Sequence, residues 1–249
     1  MSIPNHAGAL PGTWNFRDIG GVPTPDGPIR RGVVFRSAVL SRLDPAGVRA
    51  LESLGVTEVF DLRGPLEIAK DGTDRLPESV TVTVAPFHPE GDEPPVHEAP
   101  KGAAPPTPID RVRSYYAAMP ILGPAQQSIA ALLRTVADGS GGVLVHCAAG
   151  KDRTGWAIAT LLTISGADRD AVLADYLLSN TAIESLRVWI QEQYGDAFLA
   201  DGGILGVDES YLQAAFESAD RNFGSFAGYL DAIGIDKEVT GRIRRRLVG

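Results

Sequence analysis

Apolar and polar positions along this chain follow two rhythms, and the rhythm changes several times in the first 165 residues. Val33-Val34-Phe35-Arg36 follows the turn-rich Thr24-Pro25-Asp26-Gly27-Pro28 and predicts a strand. A helix comes next. Asp44 suits the N-cap, Pro45 the first helical position, Val48, Leu51 and Leu54 carry the apolar spacing, and Gly55 ends it. Glu58-Val59-Phe60-Asp61-Leu62 and Val80-Thr81-Val82-Thr83-Val84 read as two further strands. Residues 86–108, rich in Pro, Gly and Glu, have no period and read as a long surface loop. A helix is expected over 124–138, with Ile129, Leu132, Leu133 and Val136 on one face. Val143-Leu144-Val145 is an apolar run of the kind found in a parallel strand covered on both sides.

Beyond residue 153 the pattern turns helical, with segments near 153–165, 168–179, 182–199, 208–220, 223–233 and 237–247. Strands alternating with helices predict an α/β fold in three layers, a central mostly parallel sheet flanked by helices. No internal repeat or linker divides the chain, so 1–249 is expected to be a single domain.

Composition then removes whole classes of function. The 249 residues carry a formal charge of -8, which argues against nucleic-acid binding through bulk positive charge. One cysteine excludes an intrachain disulfide framework and any multi-cysteine metal site. No apolar run reaches the about 18 residues that a membrane span needs. The start, Met1-Ser2-Ile3-Pro4-Asn5-His6, shows neither a basic nor an apolar signal region, so a cytoplasmic, reducing compartment is the expectation.

The chemistry concentrates in His146-Cys147-Ala148-Ala149-Gly150-Lys151-Asp152-Arg153-Thr154-Gly155, between a buried strand and an amphipathic helix. Ligands of open α/β sheets bind at such carboxyl ends of strands. The small residues Ala148, Ala149 and Gly150 let the backbone N–H groups curl inward as an anion nest, and the next helix points its positive end there. Arg153 adds a planar fork that matches two phosphate oxygens. Such surroundings favour Cys147 as a thiolate, an in-line nucleophile beside a bound phosphate ester. A lone strand-end cysteine is most often a small buried hydrophobe; here the neighbouring residues outweigh that reading. A nucleotide P-loop is rejected, because Val145 and Asp152 stand where it needs Gly and Ser or Thr.

On these residues the chain resembles the atypical bacterial and mycobacterial protein tyrosine phosphatases, whose mark is C-x5-R-[ST]. Asn15-Phe16-Arg17-Asp18-Ile19-Gly20-Gly21, Phe35-Arg36-Ser37, Asp61-Leu62-Arg63, Leu177-Leu178-Ser179-Asn180 and Phe223-Gly224-Ser225-Phe226 extend the likeness over nearly the whole chain. The resemblance implies hydrolysis of phosphotyrosine, and of phosphoserine or phosphothreonine, through a phosphocysteine. It makes Cys147 the nucleophile, Arg153 the phosphate clamp and Thr154 the hydroxyl that stabilises the departing thiolate, with His146 orienting the cradle from behind. Asp61 and Arg63 are placed with the loop among the substrate-binding residues.

The general acid stays open between two residues. Trp14, Trp156 and Trp189 precede Asn, Ala and Ile, so the mobile Trp-Pro-Asp loop of many tyrosine phosphatases is absent. Asp152 is the first candidate, its bland alternative being a helix N-cap. Asp61 is the second, its bland alternative being an ion pair with Arg63. Lys151 is a second cation in the loop, which suits phosphoinositides; otherwise it is a solvated loop tip. A phosphoinositide phosphatase, an inactive phosphate-binding module and a rhodanese-like sulfur transferase are the rival readings, the last fitting Arg153-Thr154-Gly155 poorly. No metal or cofactor is expected, and His88 and His97 lack the company a metal site needs. Arg242, Arg244, Arg245 and Arg246 suit a helix C-terminus better than a lipid surface. The resemblance also implies helices that cover the site as a lid, for which 182–207 is the candidate span; Ile183, Leu186, Trp189 and Ile190 there equally suit core packing. Phosphoprotein substrates, a monomeric state and the possibility of export without a signal peptide complete the expectations.

Overall fold

Val34, Val143, Val145 and Phe60 point to one side of a sheet, and Phe35, Leu144 and Val59 point to the other, so both faces must be covered. The structure, a computed structural model, describes residues 10–88, 107–195 and 204–249. Its five strands are β1 (Arg17–Asp18), β2 (Val34–Ser37), β3 (Val56–Asp61), β4 (Thr81–Val84) and β5 (Gly142–His146). Their order is β1-β2-β5-β3-β4, with β1 antiparallel to β2 and every other pair parallel. β5 lies in the middle, and all five of its residues are buried.

The smaller face is covered by α1 (Pro45–Ser53), whose Leu51 packs with Leu10, Leu40, Leu43 and Val56. Asp44 caps α1, accepting from the amides of Ala46 and Gly47 at 2.8 Å each. α2 (Pro65–Asp71) follows β3. The larger face carries α3 (Pro108–Ala118), α4 (Gly123–Asp138), α5 (Arg153–Ile164), α6 (Arg169–Leu177), α8 (Glu209–Phe223), α9 (Phe226–Ala232) and α10 (Lys237–Leu247). α5 is buried along almost its whole length, the central helix of that layer. A 3-10 turn, Leu178–Ala182, links α6 to α7 (Ile183–Tyr194). The fold is the expected α/β arrangement around a mostly parallel sheet.

One expectation is revised. The helix α3 falls in a stretch that had no assigned period, and it begins at Pro108, the last residue of the expected loop 86–108. Its start is marked locally: Thr107 and Asp110 form a capping box around Pro108, with the Thr107 hydroxyl accepting from the Asp110 amide at 3.2 Å. The basic end of the chain is used in packing. Arg244 donates to the Ile164 carbonyl at 2.6 Å, Arg246 to that of Val136 at 2.7 Å, and Arg242 to Asp138 at 2.8 Å. Residues 89–106, which include His97 and most of the expected loop, and 196–203, at the end of the 182–199 segment, lie outside the described residues. Among the described residues no helix is long and apolar enough to cross a membrane.

Candidate active site

β5 ends at His146, so the loop that begins at Cys147 leaves the carboxyl edge of the central strand, and α5 starts at Arg153 with its positive end toward that loop. Cys147 is a free thiol, 2% exposed, at the floor of the turn. Gly150 has φ +65, and a Cβ there would run into the Ser37 carbonyl, so the turn requires glycine.

The loop carbonyls are bonded back into the scaffold. That of Ala148 accepts from the Val39 amide at 3.1 Å. That of Gly150 accepts from Arg36 Nη2 at 2.9 Å and from Asn15 Nδ2 at 2.8 Å, and Asn15 also reaches the Ala149 carbonyl at 3.3 Å. Asn15 does this from a left-handed backbone, φ 53, a conformation that asparagine tolerates better than most residues. With the carbonyls held outward, the loop amides remain as donors for an anion.

Arg153 is held so that half of its fork stays available. Nη1 and Nη2 each donate to Glu67 at 2.6 Å, and Nη1 also donates to the Leu62 carbonyl at 3.1 Å. The hydrogens left over among the described residues are those of Nε and the second one of Nη2. They form the parallel pair that fits two phosphate oxygens. Burial opposes the charge of Glu67, but its bonds to Arg153 outweigh that and lower its pKa, so the pair is ionic at neutral pH.

Asp152 stands at the N-cap position of α5 yet makes no capping hydrogen bond. Its Oδ1 accepts from the Tyr116 hydroxyl at 2.8 Å, and its Oδ2 lies 3.7 Å from Lys151 Nζ. Lys151 donates to the carbonyls of Ile204 at 2.9 Å and Gly206 at 3.3 Å, so its ammonium is bonded rather than free at a loop tip. The Thr154 hydroxyl, fully buried, has no hydrogen-bond partner among the described residues. Ala148 and Ala149 are covered by Leu186, Trp189 and Ile190, which face them from α7 together with Val39 and Leu205. Part of the candidate lid span therefore lies directly on the loop.

Two buried charge networks grip the loop from behind. On the β2 side, Asp175 of α6 pairs with Arg17 at 2.9 Å and with Arg36 at 2.6 Å. Burial and the neighbouring Arg17 push the pKa of Arg36 down to about 10, which leaves it cationic at neutral pH. On the β3 side, Arg63 bonds Asp61 at 2.7 Å and Asp74 at 2.9 Å, and His146 Nε2 lies 2.8 Å from Asp74. His146 Nδ1 is 3.3 Å from the Cys147 carbonyl, so both ring nitrogens face acceptors, as in an imidazolium. Burial disfavours that cation, but Asp74 and Asp61 outweigh burial and raise its pKa. Asp61, Asp74 and His146 are close enough together to hold a cation, and the Arg63 guanidinium already bridges the two carboxylates.

Asp61 and Arg63, expected among the substrate-binding residues, are engaged with other protein groups in this structure. They are 2% and 0% exposed, and their polar atoms are taken up by each other, by Asp74 and by the Gly72 carbonyl. They support the loop from below.

Comparison with known proteins agrees with this geometry. A family model described as "Tyrosine phosphatase family" matches residues 8–249. The chain belongs to the tyrosine phosphatase family. It is 36% identical over 276 aligned positions to the triple specificity protein phosphatase PtpB of Mycobacterium tuberculosis, covering 96% of this chain and 98% of that one. It is 30% identical over 228 positions to a Cupriavidus necator protein named as a tyrosine-protein phosphatase, covering 89% and 82%.

Within this tyrosine phosphatase the sequence reading missed Glu67, Asp74, Asp175 and the tyrosines Tyr115, Tyr116 and Tyr176. Tyr115, stacked on His88 with ring centroids 5.4 Å apart, lies near enough to Arg153, Asp152 and Cys147 to respond to their charges. Burial first, and then the neighbouring Asp152, raise the pKa of its hydroxyl and keep it neutral. Only the Thr107–Asp110 capping box in the sequence pointed to the helix that carries Tyr115 and Tyr116. Nothing in the spacing of Glu67, Asp74 or Asp175 marks them as partners of residues far along the chain.

Proposed function

We propose that Cys147 is the nucleophile of this protein tyrosine phosphatase, Arg153 its phosphate clamp and Asp152 its general acid. The observation that carries the reading is the half-used fork of Arg153: Glu67 and Leu62 fix one end of the guanidinium, the other end has no partner among the described residues, and the group lies close enough to Cys147 to respond to its charge. The phosphate dianion is met by that fork and by the amides of Ala148, Ala149, Gly150 and Lys151. The Cys147 sulfur attacks phosphorus, the S–P bond forms as the P–O bond breaks, and the proton on Asp152 passes to the leaving oxygen. Water then attacks phosphorus, gives its proton to Asp152, and the S–P bond breaks to return the thiolate and inorganic phosphate, with Thr154 Oγ1 free to donate to the departing sulfur. Asp61 does not serve as the acid, because Arg63 holds both of its oxygens in a buried pair. All these residues come from one chain, which is read as one catalytic domain acting without a cofactor.

The substrates are phosphotyrosine proteins, with phosphoserine and phosphothreonine also accepted; the name of the mycobacterial relative supports a range beyond one residue type. Lys151 supports phosphoinositides as a second substrate class, since releasing its ammonium from the Ile204 and Gly206 carbonyls would present a second cation to a polyanionic headgroup. A turnover panel of phosphotyrosine, phosphoserine and phosphoinositide substrates, run with EDTA present, tests both classes. Phosphotyrosine turnover is expected to persist in EDTA, to vanish in Cys147→Ser and to fall by orders of magnitude in Arg153→Lys, because a point charge cannot replace the fork. Turnover retained by Cys147→Ser would overturn the mechanism.

A further inference from the structure

The carboxylate of Asp152 is aimed by a chain of hydroxyls that no part of the mechanism above uses. Tyr176 of α6 donates to the Tyr116 hydroxyl at 2.7 Å, and Tyr116 of α3 donates to Asp152 Oδ1 at 2.8 Å. Both tyrosines are buried, at 1% and 0% exposure. Gly155 makes room for this arrangement: a Cβ there would come 3.0 Å from Tyr176 Cε2, so α5 and the tyrosine ring approach at glycine distance. We propose that Tyr116 and Tyr176 are positioning residues for the general acid, fixing which oxygen of Asp152 carries the transferable proton.

The inference rests on the reading of Asp152 as that acid. The direction of the chain is set by its end. A carboxylate only accepts, so the Tyr116 proton points to Oδ1, and the Tyr116 oxygen then accepts from Tyr176. With Oδ1 occupied, the proton that Asp152 transfers sits on Oδ2. Burial raises the pKa of both hydroxyls, so neither ionises in the working range and the direction does not reverse. The other titratable groups facing the carboxylate are Lys151, 3.7 Å from Oδ2, and the rings of Tyr115 and Tyr211, of which Tyr211 packs on Tyr116 with centroids 5.8 Å apart. Asp152 also has helical backbone, φ -84 and ψ -72, and not the extended backbone of a capping residue, in keeping with its lack of a capping bond.

A hydrogen bond donated to a carboxylate favours its ionised form. Tyr116→Phe keeps the ring and removes that bond. The basic limb of the kcat/KM pH profile should move to higher pH by about half a unit to one unit. The plateau should fall further for alkyl phosphates than for p-nitrophenyl phosphate, because a poor leaving group needs a well-placed proton. Tyr176→Phe should move the limb the same way by less. Tyr229→Phe, another buried tyrosine, packed among Trp156, Phe223 and Phe226, should leave the limb in place. Asp152→Asn separates the two layers of the argument. If it keeps the basic limb, the assignment of the acid itself is wrong. If it loses the limb while folded Tyr116→Phe shows the wild-type limb and the wild-type leaving-group dependence, the positioning role is wrong. A loss of activity in Tyr116→Phe that is equal for all leaving groups, with the limb unmoved, also overturns it.

Discussion

The two charge networks behind the phosphate loop differ in what they contain, and the difference separates two jobs. The β2-side network sets two arginines, Arg17 and Arg36, against one carboxylate, Asp175. It carries a net positive charge, and Arg36 applies that charge to the loop by bonding the Gly150 carbonyl. The β3-side network sets Asp61 and Asp74 against Arg63 and His146. It is neutral when His146 is charged, and the pKa of that histidine is raised above its ordinary value by Asp74 and Asp61 against the effect of burial. The first network places positive charge beside the loop at Gly150; the second supports the strand end that carries Cys147. A buried ion pair is weak grounds for net stability, yet removing one partner from it is costly, and that asymmetry makes the contrast testable.

The largest effect is expected at Asp175, the single carboxylate between two buried arginines. Asp175→Ala should lower unfolding free energy by about 3–5 kcal/mol. It should also cut kcat by about a hundredfold, because the clamp on Gly150 loosens. Urea unfolding and steady-state kinetics check both; an unchanged midpoint would show that the arginines find other partners. Asp74→Asn should cost less, about 1–3 kcal/mol, since Arg63 keeps Asp61. If its loss in the same urea titration matched that of Asp175→Ala, the two networks would not differ as described.

The pH dependence distinguishes the networks more finely. The pKa of His146 is raised above 6.5 in the fold, so its contribution is fully present below 6.5 and is lost as pH rises through the raised value. Asp74 and Asp175 are buried, which opposes their charge, but their cationic partners outweigh burial and hold their pKa values below 3.8. Their contribution is present above 3.8 and is lost as pH falls through the lowered values. Thermal midpoints should therefore decline on the alkaline side through His146 and on the acid side through both networks. Asp74→Asn should flatten the alkaline decline, whereas a folded Asp175 variant should keep it. An alkaline decline that survives in both Asp74→Asn and His146→Asn would assign it to another group.

The smallest effect belongs to Asn15. Asn15→Gly keeps the left-handed backbone and loses the bonds to Ala149 and Gly150 and the one accepted from Arg17, while Arg36 still holds Gly150 and Arg17 keeps Asp175. A loss of roughly 1 kcal/mol in transition-state stabilisation, or about fivefold in kcat/KM, is expected with little change in unfolding. A drop as large as that of Asp175→Ala would move Asn15 to the centre of the β2-side network.

Local pattern made much of this molecule readable in advance. The apolar run Val143-Leu144-Val145 marked the central strand, Asp44 and Pro45 marked the start of α1, and the ten residues from His146 to Gly155 marked the turn from β5 into α5. These are short-range signals: propensity, capping and turn chemistry act among neighbours in the chain. The helix α3 escaped because Thr107-Pro108-Ile109-Asp110 is a brief signal next to a proline-rich stretch without period. Asp152 kept two readings because capping and proton transfer ask for the same carboxylate at the same position.

What the sequence by itself determined was therefore the motif: a cysteine and an arginine separated by five residues on a glycine-bearing turn between strand and helix, in an acidic chain with one thiol. What only the tertiary structure decided was the set of partners. Glu67 meets Arg153 across 86 residues, Asp175 meets Arg36 across 139, and Tyr116 meets Asp152 across 36. Sequence spacing constrains such pairs weakly, since packing elements side by side brings together residues whose separation along the chain has no period. The charges of Arg36, Arg63, His146 and Asp175 can be buried only because the fold supplies each with its counter-charge, and the direction of the Tyr176–Tyr116–Asp152 chain exists only once three helices have closed around it.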